Sequence, residues 1–242
     1  MKVLLNAKNT VIAIIAVIAI GTSFPIYSKA EEGETQILEP KTSGDEVFQE
    51  VKYTVEGEDE HIYISGNKKV SEDAEAYKVI LNKDEGTYEV EEKEVTESES
   101  PVFSTLATTS HTAWVKAITD DPVGVDLATT KVTLSWYDYG STIGYKSKAL
   151  SVWSANPSSL GTHWYNDSKS ISTPVQSSTK ADLKVVGKAA FHNYDFLDND
   201  KITNIRHVVE IVAKNNGTYD YFVDWVRSGE SWITLDLDVE VN

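Results

Sequence analysis

The chain has 242 residues, with 38 Asp or Glu against 22 Lys or Arg, a formal net charge of −16, and no cysteine. The missing thiols exclude disulfides, thiolate metal sites and a lipidated cysteine. The acidic balance disfavours phosphate backbones and anionic lipid surfaces, so no nucleic acid partner is expected.

Residues 1–30 hold Lys2, Lys8 and Lys29, no acidic residue, and the apolar run VIAIIAVIAI at 11–20. That run is shorter than the roughly 20 residues a membrane span needs. With Ser28 and Ala30 two positions apart, the segment reads as a cleavable secretory signal peptide, cut after Ala30. Nothing later is apolar enough to cross a bilayer as a helix, so the expectation is a secreted, extracellular protein with no stable membrane anchor. Export without cysteine suits a bacterial exporter better than an animal secretory pathway.

Charge is unevenly spread along the remainder. Residues 31–100 carry 22 acidic side chains against 7 Lys, whereas 101–242 carry 16 against 12 basic ones. The stretch 31–45, with Gly33, Pro40 and Gly44, is polar and aperiodic, and reads as a flexible leader. In 46–95, Val47, Val51, Tyr53 and Val55 share one face of an alternating run. Further strand candidates follow at 61–64, 77–81 and 87–95, the last two joined by a turn at Asn82 to Gly86. A small acidic β-meander is expected there. Residues 96–112, with TESES, Pro101 and many Ser and Thr, read as a linker.

From 113 to 242 seven runs rich in β-branched and aromatic residues appear, at 113–118, 132–137, 147–154, 182–191, 205–214, 219–225 and 232–241. In the last, Leu235, Leu237, Val239 and Val241 point one way while Asp236, Asp238 and Glu240 point the other, which predicts a strand with one wet face. The β-branched content of 205–214 favours strand over helix. The expected fold class is mainly β, an antiparallel β-sandwich of immunoglobulin-like kind preceded by the acidic meander.

Catalytic patterns are sparse. The chain has no Gly-x-Ser-x-Gly, and its five histidines, at 61, 111, 163, 192 and 207, never fall at H-x-x-x-H spacing. Glu210, Glu230 and Glu240 are acids for a glycosidase pair, but nothing in the sequence brings any two together. Asp195, Asp198 and Asp200 in DFLDNDKIT offer alternating oxygen ligands for a structural Ca2+, without the Gly and terminal Glu of an EF-hand. No other cofactor is implied.

All six Trp lie after residue 112. Trp153 and Trp164 flank the turn-rich SANPSSLGTH, with Tyr165 directly behind, and aromatic faces beside Asn and Asp groups suit a sugar ring. The functional expectation is a non-catalytic binding protein acting outside the cell on a glycan or a protein ligand. The alternative is a secreted antagonist or toxin-like factor, its acidic front a pro-like segment and its Ser/Thr-rich 168–179 a membrane-inserting hairpin. A secreted hydrolase ranks third.

Overall fold

The computed structural model describes residues 35–71, 73–95, 109–156, 163–194, 202–229 and 235–242. Within them the chain forms fourteen strands and no helix. These are β1 (Thr35–Pro40), β2 (Glu50–Glu56), β3 (Asp59–Lys69), β4 (Glu75–Asn82), β5 (Thr87–Lys93), β6 (Thr109–Asp120), β7 (Asp126–Asp138), β8 (Ile143–Ser154), β9 (Trp164–Ile171), β10 (Val175–Gln176), β11 (Asp182–Asn193), β12 (Thr203–Lys214), β13 (Thr218–Gly229) and β14 (Asp236–Val241). Each of the seven runs expected after 113 contains a strand. The turn between β4 and β5 forms as its residues require: Asn82 Oδ1 accepts the Glu85 N–H, and Gly86 takes a left-handed φ of 69°.

The strands make one mixed sheet in the order β10-β11-β12-β13-β3-β2-β1-β5-β4-β14-β6-β7-β8, with β9 also on β11. The corner is β1, whose residues Thr35 to Leu38 pair antiparallel with β2 while Glu39 and Pro40 pair parallel with β5. From that corner the two limbs fold back on each other, β12 facing β6 and β7, and β11 facing β7 and β8. The far ends adjoin along β8 and β9 and are clipped by single bonds. Ile143 N–H donates to Lys180 O at 2.8 Å, Trp164 N–H donates to Ala155 O at 3.1 Å, and the Lys148 ammonium donates to Ser172 O. The result is a flattened, nearly closed barrel.

An all-β fold is thus what the sequence implies, but the ladders draw one continuous sheet. Strand β3 pairs with β13, and β14 sits between β4 and β6, so strands on either side of 96–112 interleave. Residues 35–40 of the leader stretch form β1, and β3 and β4 are not neighbours as a meander would have them. Alternation reveals that a strand has a face to bury; it carries no information about which distant strand lies beside it.

One apolar cluster fills the space between the limbs, from Val51 and Ile64 through Val115, Val132 and Trp136 to Val209, Val223 and Val239, each fully buried. Each such side chain contributes about 1.5–3 kcal/mol relative to exposure. The limbs approach each other closely at Gly187, where a Cβ would lie 2.3 Å from Val132 Cγ2 and 3.1 Å from Leu150 Cδ1. Only a glycine fits there.

The second face of β14 corrects the sequence reading. Asp238 and Glu240 are 1% and 3% exposed, not wet. Cations on neighbouring strands enclose them: Lys93 of β5 contacts Asp238 and lies 2.9 Å from Asp120, Lys116 of β6 lies 3.4 Å from Glu240, and Lys78 of β4 lies 2.8 Å from Asp236. A strand flanked on both sides loses solvent even on its polar face when its neighbours carry long side chains.

Candidate ligand-binding surface

Adjacent residues on a strand point to opposite faces, and this separates the aromatic residues flagged by the sequence. Trp164 turns inward and is 1% exposed, so it lines the core rather than the surface. Tyr165, the next residue, turns outward at 38% exposure. Trp153 near the end of β8 also faces out, at 50%. The Ala155–Trp164 backbone bond brings Trp153 and Tyr165 to the same end of the seam between β8 and β9.

Around Tyr165 the ladder with β11 assembles a cluster absent from the sequence reading. His192 is the direct cross-strand partner of Tyr165, and the two rings stack at 5.3 Å and 20°. Tyr194, 48% exposed, meets His192 edge-on at 4.4 Å and 76°, and Tyr165 at 6.2 Å and 63°. Asp167 Oδ1 lies 2.5 Å from His192 Nδ1, which fixes the imidazole and leaves the second carboxylate oxygen at the cluster's edge. The neighbouring Asn166 amide is committed to the backbone, donating to Ser168 O and Ala190 O at 3.1 and 3.0 Å. Three rings and a carboxylate on one outer face can stack against the apolar side of a ring-shaped ligand and accept its hydroxyl protons. The signal in the sequence was the alternation of Phe191, His192, Asn193 and Tyr194; without the register to β9 it gives no platform.

Two of the other histidines, His61 and His207, are held by partners of their own. His61 Nδ1 lies 3.1 Å from Asp224 and 3.0 Å from the Tyr63 hydroxyl, and His207 sits wholly inside the core between two threonines. Among the described residues no group of three His, Asp or Glu side chains is arranged to hold a metal ion. Asp195, Asp198 and Asp200, the candidate calcium ligands, lie outside the described residues.

The enclosed charges on β5, β6 and β14 form a second polar concentration. Lys93 bridges one oxygen of Asp120 and one of Asp238, and the remaining Oδ1 of each is buried without a partner. Burial, reinforced by the neighbouring Asp238 carboxylate, pushes the Asp120 pKa up to about 6. Burial also opposes the charge on Lys93, yet the two carboxylates outweigh it and its pKa is raised. Burial first, and then Asp120, raises that of Asp126.

No protein-family model, curated protein or solved structure matches the chain. The fold and surface together describe a β-sheet scaffold that displays an aromatic face.

Proposed function

We propose that the protein is a non-catalytic binding protein acting outside the cell, and that Tyr165, His192 and Tyr194, extended along the seam by Trp153, hold a glycan. The observation that carries this reading is the outward stack of Tyr165 on His192 with Tyr194 edge-on and Asp167 beside it. Stacked rings supply the apolar contact for a sugar, and Asp167 accepts from its hydroxyls. The expected signal peptide supports the extracellular setting, where wall and environmental polysaccharides are the reachable ligands. The immunoglobulin-like sandwich expected from the sequence enters this reading as an analogy of use, two facing layers presenting a ligand from an outer face.

The test is retention of the mature protein on insoluble polysaccharides, wall preparations included, with fluorescence titration by soluble oligosaccharides. Tyr165→Ala is expected to weaken binding about tenfold, in line with the worth of an aromatic contact, and Trp153→Ala by a smaller factor. Absence of retention on every polysaccharide overturns the glycan assignment.

A further inference from the structure

A cavity of about 310 Å³ opens at one end of the barrel, between β3 and β13 of one limb and β4 and β14 of the other. Its floor is apolar, built from Ile62 and Trp225 on one side and Val79, Leu81, Leu235 and Leu237 on the other. The one side-chain polar atom that these residues bring, Trp225 Nε1, already donates to Thr119 Oγ1 at 2.8 Å. Both edges of all four wall strands are paired, β3 with β2 and β13, β13 with β12 and β3, β4 with β5 and β14, and β14 with β4 and β6. Their main-chain groups are therefore engaged in the ladders. A ligand hydroxyl or amide placed on the floor would lose its hydrogen bonds to water and find no replacement.

The charged groups at the rim are engaged in the same way. The described lining residues include two cations, Lys83 and Arg227, and two anions, Glu60 and Asp236, so they sum to zero. The Glu60 carboxylate lies 3.5 Å from the Lys83 ammonium and 3.7 Å from the Arg227 guanidinium, and it accepts from the Tyr53 hydroxyl at 3.3 Å. The Lys83 ammonium also sits 4.3 Å over the Tyr53 ring, and Asp236 meets Lys78 at 2.8 Å. Each of these four charges thus has a partner of opposite sign. A ligand ion would have to displace one of those partners to be received, after giving up its own hydration.

We infer that this cavity is a binding site for an uncharged, apolar small molecule of about ten carbon atoms, seated on the floor between the limbs. An apolar cavity of roughly 150 Å³ takes one benzene ring, so about 310 Å³ admits a fused pair, the size of naphthalene. The driving force is removal of apolar surface from water, which is non-directional and asks nothing of the engaged polar groups. The walls are preformed, since every wall strand is held on both edges. The site is independent of the outer aromatic face, so failure of one leaves the other standing.

The test is an NMR titration of the full mature chain with naphthalene, 1-naphthoate and 1-naphthylmethylammonium, following the indole N–H signals of its six tryptophans. Trp225→Phe identifies the Trp225 signal by its loss. Naphthalene is expected to shift that signal saturably, to leave the signal of Trp153 on the outer face in place, and to bind about tenfold more tightly than either ion. Lys83→Gln is expected to change naphthalene binding by less than about threefold, because an apolar ligand draws nothing from a rim charge. Leu81→Phe, which fills the floor, is expected to abolish it. If Leu81→Phe fails to fold, the ranking of the three ligands on the unaltered chain remains decisive. No saturable shift at Trp225, an ion bound as tightly as naphthalene, a larger loss on Lys83→Gln, or binding retained by a folded Leu81→Phe overturns the inference.

Discussion

Two consecutive residues of β6, Thr119 and Asp120, are both fully buried, yet they enter polar clusters of opposite kind. Thr119 faces the space between the limbs, where its hydroxyl meets His207 Nε2 at 2.8 Å and accepts from Trp225 Nε1, while His207 Nδ1 reaches Thr130 at 3.0 Å. Every one of these side-chain polar atoms has a partner and none is charged, because burial alone drives the His207 pKa down to about 3. Asp120 joins Lys93 and Asp238, where charges are retained and one oxygen on each carboxylate is orphaned. The contrast shows that a dry sheet interior accommodates a short neutral hydrogen-bond chain in full. Two carboxylates on one ammonium, in the same degree of burial, stay under tension.

The largest way to break the comparison is to remove the shared cation. Lys93→Met is expected to cost about 3 kcal/mol at pH 7, the low end for an uncompensated buried charge because the ammonium is a third exposed. Urea denaturation should show much of that loss recovered at pH 5, where Asp120 takes up a proton.

Next in size are the opposed pH dependences. The Asp120 pKa is raised above its unfolded value, so its stabilising contribution is full below pH about 4 and is lost as pH rises through 6. That of His207 is depressed, so its contribution is full above 6.5 and is lost as pH falls toward 3. Each changes stability by about 1.4 kcal/mol per pH unit, and between pH 4 and 6 the two cancel. Relative to the parent protein, Asp120→Asn is expected to gain stability as pH rises across that window, and His207→Gln to lose it. Parallel melts at pH 4, 5 and 6 read both slopes, and a variant whose difference from the parent is flat removes that residue's part of the comparison.

Smallest is Thr130→Val, which leaves His207 Nδ1 buried without its partner and is expected to cost about 1–2 kcal/mol at pH 7. A neutral outcome in the same denaturation assay would mean that the hydroxyl–imidazole chain has redundant partners.

Local pattern carried the strands and stopped at their pairing. The runs at 205–214 and 219–225 declare their buried faces by β-branched alternation, and they appear as β12 and β13 with Val209, Ile211 and Val223 inside. Strand β9 escaped because WYNDSKSI shows no apolar alternation; it is a strand through its ladder to β11, with one face of β11 already committed to the core. Asp238 and Glu240 read as wet because alternation distinguishes two faces without saying what covers each. Of the surface site, Trp153 and Tyr165 were visible as aromatic residues near a turn, and Trp164 was misplaced by its neighbour's parity. His192 and Tyr194 joined them only through a register set by strands far along the chain.

The position of β14 also governs when the molecule can fold. It is flanked by β4 and β6, both of which precede it by more than a hundred residues, so until it arrives one limb is split and two strands present open edges. Such distant pairing makes for late closure of the nucleus and slow folding. A chain threaded amino end first through a membrane channel would therefore stay incompletely folded until its last strand emerged, and the barrel would close on the far side.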